Sequence, residues 1–355
     1  MVSFSKESVI ASSTIAVGVA LLARKVRALS DAKHATTAFA EREDCHLTLP
    51  GPHPLFPEFE VNGQGLRIFT RAWTPATAPK ATVLLVHGFA EHSGRYGALG
   101  AALAAAGYAV VALDHQGHGR SEGCRGHVER FAHYVDDVAQ VARSRCAPDL
   151  PLFLCGHSMG AQVCIHAAAS GRIAKLRGVA LSAPAVEPDP EMATPLLVFL
   201  ARKLSNALPK LQLDPLPSKY LSRDATVIEQ YLNDPLVYTG GVRARFGAEM
   251  LGAMAACFDL AKRECRGVPL LLLHGTGDRV VDPGGSTRLC DAWAGPTQLE
   301  LLPGEFHEIF NEPGRERAYG LLVDWLGATL LASLAEDHTL HGYDCLLYTS
   351  PSPRD

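Results

Sequence analysis

Three side chains that could together carry out acyl transfer occur in order along this 355-residue sequence. The first, Ser158, lies in Gly156-His157-Ser158-Met159-Gly160, between a short apolar run at 150–155 and an alanine-rich run at 161–169. A G-x-S-x-G sequence between a strand and a helix predicts a sharp turn that exposes the serine hydroxyl. A serine hydroxyl is a poor nucleophile at neutral pH, so a base and an acid must accompany it.

Asp278 is the predicted acid. The apolar run at 268–274 is typical of a buried parallel strand, and Asp278 comes directly after the glycine turn that follows it. Asp282 precedes a proline, and we predict that it caps the helix beginning near Gly284 instead of serving the serine.

His307 is the predicted base among fifteen histidines. It follows a strand at 298–302 and precedes an amphipathic helix around 315–334, which gives the chain order Ser, Asp, His. His157 is expected to face away from the serine's side.

An oxyanion that develops during acyl transfer needs amide donors aimed at it. The N–H of Met159, directly after the serine, is one predicted donor. The strand at 81–86 ends in a His-Gly turn, and this nominates the N–H of Phe89 as the second donor.

The alternation of apolar runs with helix-forming stretches predicts an α/β fold with a mostly parallel central sheet and helices on both faces. Further strands are expected at 108–113 and 178–182, and helices at 96–106 and 128–145. We assign 58–335 to one catalytic domain.

The composition is that of an ordinary globular protein, with 47% hydrophobic and 20% charged residues. The net charge of −4 gives no indication of nucleic-acid binding. Nine scattered cysteines form no C-x-x-C pair, and H-E-x-x-H is absent from the sequence. The sequence therefore predicts neither a metal site nor a cofactor.

An insertion at 184–267 interrupts the alternation and is predicted to form a helical lid. After several prolines it contains the apolar run Leu196–Ala201, which has no polar face. One interpretation is a helix buried in the core. The other is a lid surface, including Leu197 and Phe199, that meets a membrane and admits an acyl chain.

The two ends of the chain are set apart from this domain. Residues 1–30 contain the apolar run Val9–Ala23 followed by basic residues, which favours a membrane anchor with the catalytic domain on the cytosolic side. An organellar transit peptide is the alternative. Residues 31–57 are predicted to be a linker, and 345–355 match the translation of a transposase sequencing adapter.

Several motifs in one order resemble the monoacylglycerol lipase family of α/β-hydrolases. They are His87–Tyr96, Asp114–Gly123, Gly156–Gly160, and Leu221–Asp224 with Tyr231–Leu236, and the similarity extends over roughly 50–330. The resemblance implies hydrolysis of a glycerol ester of one fatty acid, with Ser158, Asp278 and His307 as the triad. A lysophospholipase or a general carboxylesterase is the alternative, and a non-catalytic lipid-binding protein of the same fold is a further one.

The resemblance also implies a substrate pocket that contains Glu91, Arg95 and Tyr231. In the mammalian members a second histidine stands three residues after the base, in the pocket for the glycerol head. Phe310 occupies that position here. An apolar ring there is expected to weaken the preference for monoacylglycerol over short alkyl esters.

Overall fold

The computed structural model describes residues 58–187, 199 and 203–341, with side chains described as far as 333. The predicted anchor at 1–30, the linker at 31–57, Leu197 and the segment at 345–355 lie outside the described residues.

An eight-stranded sheet forms the centre of the described fold, in the order β1-β2-β4-β3-β5-β6-β7-β8. The strands are Phe59–Val61 (β1), Arg67–Trp73 (β2), Thr82–Val86 (β3), Ala109–Leu113 (β4), Leu152–His157 (β5), Leu176–Ser182 (β6), Leu270–Gly275 (β7) and Thr297–Leu302 (β8). β1 and β2 pair antiparallel, whereas β3 to β8 run parallel. The predicted α/β architecture is confirmed.

Helices cover both faces of the sheet. They are Gly97–Ala105 (α1), Ala132–Arg145 (α2), Met159–Ala169 (α3), Ala225–Asn233 (α4), Ala244–Glu264 (α5), Pro283–Ala292 (α6) and Arg315–His341 (α7). One core cluster joins the sheet to α2, α3 and α5, and the other joins it to α1 and α7. Because both faces are covered, β3, β5 and β7 are buried along their whole length, as their continuous apolar sequences predict.

Helix α5 lies inside the segment predicted to form the lid, yet one side of it belongs to the main core. Phe246, Met250, Ala253 and Cys257 are buried on that side and join the same cluster as the sheet. Part of the insertion therefore supports the catalytic domain. No helix among the described residues is long and apolar enough to cross a bilayer.

The carboxyl ends of β3, β5, β7 and β8 meet at one edge of the sheet. The loops that follow these strands contain, in turn, Phe89, Ser158, Asp278 and His307. Residues more than 200 positions apart in the chain are thus brought to one place by the parallel topology.

Candidate active site

Ser158 lies at a strained turn between β5 and α3. Its backbone has φ 52° and ψ −116°, a conformation that residues with a side chain rarely adopt. Such a residue costs of the order of 1–3 kcal/mol and persists only where its surroundings hold it in place. Here the Ser158 N–H donates to the carbonyl of Ser182 at 3.0 Å, and its carbonyl accepts from Ala185 at 3.2 Å.

The glycines on either side of Ser158 are required by close packing. A Cβ atom on Gly160 would collide with the carbonyl oxygen of Val86, and one on Gly156 would meet the backbone of Gly160 and Ala161. Strand β5, strand β3 and helix α3 therefore approach each other more closely than any larger residue allows. This explains the spacing of the G-x-S-x-G sequence.

Asp278 and His307 form a buried pair. The His307 Nδ1–H donates to Asp278 Oδ2 at 2.7 Å, and both side chains are almost fully buried. The other carboxylate oxygen of Asp278 accepts from the N–H groups of Val280 and Val281 at 2.7 and 3.2 Å. This set of bonds fixes the tautomer of His307 and leaves its Nε2 unprotonated when the ring is neutral.

The pair also sets the charge states of its members. Burial alone would raise the pKa of Asp278, but the charge of His307 and hydrogen bonds from His274 and His307 hold that pKa well below its usual range. Burial alone would lower the pKa of His307, but the negative charge of Asp278 raises it by more, and Glu308 and Glu91 raise it further. The pKa of His307 is therefore above its usual value. Asp278 is thus a permanent anion beside a strengthened base.

Two further histidines, His274 and His157, lie against this pair. The His274 Nε2–H donates to Asp278 Oδ2 at 3.1 Å, and its Nδ1 lies 2.6 Å from Ser286 Oγ. The ring of His157, which was expected to face away, has its centroid 4.7 Å from that of His307. Burial lowers the pKa of His157 to about 4, so this ring adds no positive charge at neutral pH.

Asp282 caps helix α6, as predicted. Its side chain accepts a hydrogen bond from the N–H of Gly284 at 2.9 Å, and Pro283 occupies the first turn. The same carboxylate also forms an ion pair with Arg288. Asp282 is therefore occupied away from His307.

The loop after β3 also lies against Ser158. A methyl carbon built on Gly88 would lie 3.3 Å from Ser158 Cβ and 3.0 Å from Glu91 Oε1. The N–H of Gly88 donates to Glu91 Oε1 at 2.7 Å, and Ala90 takes a positive φ of 69°. These contacts fix the backbone around Phe89, whose N–H is the proposed oxyanion donor.

Met159 carries the other proposed donor. It is the first residue of α3, and the first N–H groups of a helix have no acceptor within the helix. The partial positive charge of the helix N-terminus adds to its suitability for a negative oxygen.

A buried polar cluster lies next to the triad and contains the two charged residues predicted for the substrate pocket. Arg95 donates to Glu91 Oε2 at 3.0 Å and to both oxygens of Glu308 at 2.6 and 2.7 Å. Tyr96 donates its hydroxyl to Glu91 Oε1 at 2.7 Å. The ring of Tyr231, from α4, covers the Arg95 guanidinium at 4.9 Å. Glu308 was not predicted, although its position next to His307 could have drawn attention to it.

Phe310 packs into the core, and its place in a head-group pocket stays a prediction. The side chain is 5% exposed and belongs to the core cluster between the sheet and α7, with its ring 6.1 Å from that of Tyr319. Phe310 lies in the 3₁₀ turn Ile309–Asn311. Glu308, two residues earlier, faces Arg95 instead.

The insertion contributes several large apolar side chains. Phe199 is 56% exposed, with Lys203 Nζ 5.8 Å from its ring centroid, which favours a lid surface over a buried helix at this position. The Phe89 ring stacks on Phe246 with centroids 4.2 Å apart. A cavity of about 140 Å³ opens between the Phe89–Ala90 loop and insertion residues that include Tyr231 and Leu232.

No group of three histidine, cysteine, aspartate or glutamate side chains within the described ranges is arranged to hold a metal ion. The arrangement instead brings a serine, a carboxylate-bound imidazole and backbone amides to one edge of the sheet. This combination can perform nucleophilic acyl transfer.

Comparison with known proteins agrees with that chemistry. Residues 77–314 match the hydrolase family described as serine aminopeptidase, S33. Human monoglyceride lipase is 38% identical over 255 residues, which cover 71% of this chain and 83% of the human protein. The monoacylglycerol lipase of Mycolicibacterium smegmatis is 34% identical, over 74% of this chain and 93% of that protein.

A solved structure is similar over the same part of the chain. The crystal structure of Paleococcus ferrophilus monoacylglycerol lipase superposes with a TM-score of 0.67 at 33% identity. The match covers 74% of this chain and 99% of that one.

Proposed function

This chain belongs to the serine aminopeptidase S33 family of α/β-hydrolases, and from that we propose that it hydrolyses monoacylglycerols to fatty acid and glycerol. Within the site, the observation that carries this proposal is the 2.7 Å hydrogen bond between His307 and Asp278, in the loops beside the strained turn of Ser158. We assign Ser158 as nucleophile, His307 as base and Asp278 as the acid that orients it.

The reaction follows from these assignments. His307 Nε2 takes the hydroxyl proton of Ser158 as the oxygen attacks the ester carbonyl, and the N–H groups of Phe89 and Met159 stabilise the oxyanion. Glycerol leaves with the proton from His307, and the fatty acid remains bound to Ser158 as an ester. Water then attacks this ester, again with His307 as base, and releases the fatty acid.

The charge of the polar cluster favours a neutral head group. Glu91 and Glu308 share the single cation Arg95, so the cluster carries one excess negative charge in a buried setting. A free glycerol head group can exchange hydrogen bonds with these side chains, whereas a phosphodiester would be repelled by the excess charge. This supports monoacylglycerol over lysophospholipid, the alternative substrate class.

The experiment that tests the function compares kcat/KM for 2-monoacylglycerol, lysophosphatidylglycerol, whose head group carries a net negative charge, and a short p-nitrophenyl ester. We expect turnover of the monoacylglycerol to exceed that of the lysophospholipid by at least about tenfold, since one such repulsion costs about 1.4 kcal/mol or more. Equal or greater turnover of the lysophospholipid would assign the enzyme to the other class.

We further propose that the insertion contacts a lipid surface. Phe199 and Leu232 are large apolar side chains of the insertion that are 56% and 53% exposed. Apolar side chains exposed next to a lipase site can enter the interface where the substrate resides.

Phe199→Glu should lower the activity on vesicle-borne monoacylglycerol several-fold and leave the turnover of a soluble ester nearly unchanged. A buried charge replaces apolar contact with lipid in this variant. Val61→Glu is the matched control, because Val61 is 47% exposed on the edge strand β1, away from the insertion. Equal effects of the two substitutions on the vesicle assay would refute the lid surface.

We also propose that residues 1–30 anchor the protein to a membrane, with the catalytic domain in the cytosol. Deletion of 1–30 should release most of the protein from membranes and leave hydrolysis of a soluble ester intact. Membrane fractionation of the deleted and full-length proteins tests this. Import into an organelle and cleavage near residue 30 would favour the transit-peptide alternative.

A further inference from the structure

We infer that Glu308 is a positioning residue for this reaction: it holds the Arg95 guanidinium by a two-point ion pair and places a second negative charge beside His307. The inference rests on the proposed function, because it assigns His307 as the base.

The first observation is the geometry of the ion pair. Both oxygens of Glu308 accept from Arg95, at 2.6 and 2.7 Å, in the parallel arrangement that fixes a guanidinium plane best. Asn311 Nδ2 donates to Glu308 Oε2 at 3.0 Å and so fixes the carboxylate itself. Arg95 cannot turn away from this position without leaving a buried carboxylate unpaired, which is costly.

The second observation is that the ion pair joins the two loops that the reaction needs. Glu308 directly follows the base His307. Its partner Arg95 also donates to Glu91, whose Oε1 accepts from the N–H of Gly88. Gly88 begins the loop of the oxyanion donor Phe89. A displaced Glu308 would therefore disturb both the head-group cluster and the oxyanion loop.

The third observation is the charge around His307. The groups that face it are Asp278 from the loop after β7, Glu91 from the loop after β3, Glu308 from its own loop, and the neutral His157 at the end of β5. Arg95 neutralises one of the two glutamates, so one negative charge remains in addition to Asp278. Asp278 raises the pKa of His307 most, and Glu308 and Glu91 raise it further.

The sign of the effect on catalysis follows. His307 accepts a proton from Ser158 only when its ring is neutral, so kcat/KM falls as the pH drops below the pKa of His307. Removing the charge of Glu308 lowers that pKa. The acidic limb of the pH profile then moves to lower pH, a change that a purely structural ion pair would not cause.

The experiment measures kcat/KM from pH 5 to pH 9 on a soluble p-nitrophenyl ester for Glu308→Gln, Glu308→Asp and Glu316→Gln. Glu308→Gln should shift the acidic limb downward by about half a pH unit or more, because it removes one buried charge. Glu316 is an exposed glutamate at the start of α7, so Glu316→Gln removes the same charge without this effect. If the acidic limb of Glu308→Gln coincides with that of the unsubstituted enzyme, the charge part of the inference is overturned.

Glu308→Asp tests the positioning part, also in the event that Glu308→Gln does not fold. It keeps the negative charge, so the acidic limb of the pH profile should stay in place. It also shortens the side chain, which breaks the two-point ion pair with Arg95. We expect KM for monoacylglycerol to rise several-fold while KM for the p-nitrophenyl ester stays within twofold. An unchanged ratio of the two KM values overturns this part.

Failure of the proposed function gives a different result. The pH arm uses a substrate without a glycerol head and does not depend on monoacylglycerol turnover. If the enzyme does not hydrolyse monoacylglycerol, the proposed function is refuted. The pH profile measured on the soluble ester would still decide the role of Glu308.

Discussion

Ser158→Ala, Asp278→Asn and His307→Ala should each lower kcat on a monoacylglycerol by about 10³- to 10⁶-fold, with Asp278→Asn at the smaller end. Ser158→Ala removes the nucleophile and His307→Ala the base. Asp278→Asn replaces the acceptor of the 2.7 Å hydrogen bond with a group that can favour the wrong tautomer of His307. The double variants should lose little more than the single ones, because the three groups act as a unit.

Asp282→Asn is the matched control for the acid. Its carboxylate caps α6 four residues after Asp278, so the substitution should lower stability by about 1 kcal/mol at most and leave kcat near that of the unsubstituted enzyme. Stopped-assay kinetics and thermal melts of all four single variants decide between the two residues. Near-normal turnover in Asp278→Asn together with an inactive Asp282→Asn would move the acid to position 282.

Gly160→Ala should both destabilise the fold and impair catalysis. The added methyl group would collide with the carbonyl oxygens of Val86 and His87, at the point where β3 leads into the oxyanion loop. Overpacking of this kind costs about 3 kcal/mol, which lowers the melting temperature by roughly 5 °C or more in a domain of this size. The displaced loop should also lower kcat, because the N–H of Phe89 moves from its place.

Gly320→Ala is the comparison for that substitution. Gly320 lies in α7, and apart from its own stretch of helix no atom comes within 4 Å of the added methyl group. Alanine in a helix is up to about 1 kcal/mol more favourable than glycine. The melting temperature should therefore stay the same or rise. Equal melting temperatures for Gly160→Ala and the unsubstituted protein would show that the turn is less tightly packed than the structure indicates.

The sequence predicted the sheet and the placement of the proposed triad because both depend on local patterns. Continuous apolar runs such as 268–274 indicate buried parallel strands, and the parallel topology brings their carboxyl ends together. Asp278 and His307 could be selected by their position after such strands, and Asp282 by the proline that follows it.

The head-group cluster could not be predicted in the same way, because it depends on contacts between distant segments. Glu308 stands directly after the proposed base, but its partner Arg95 lies 213 positions away, so no local pattern shows their ion pair. The assignment of Phe310 to the pocket rests on analogy of position alone, and in the fold its side chain packs in the core cluster between the sheet and α7. The same limit applies to α5, because only the fold shows that its apolar side packs into the main core.

Mass spectrometry of a trapped intermediate tests the central assignment most directly. A phosphonate ester with a long alkyl chain and a glycerol-like leaving group mimics the proposed substrate, and its phosphorus forms a stable bond with a reactive serine oxygen. The account predicts one adduct per chain, on the peptide that contains Ser158. It also predicts no adduct with Ser158→Ala and a much slower reaction with His307→Ala. An adduct on another residue, or full monoacylglycerol hydrolysis by a protein whose Ser158 is completely modified, would contradict it.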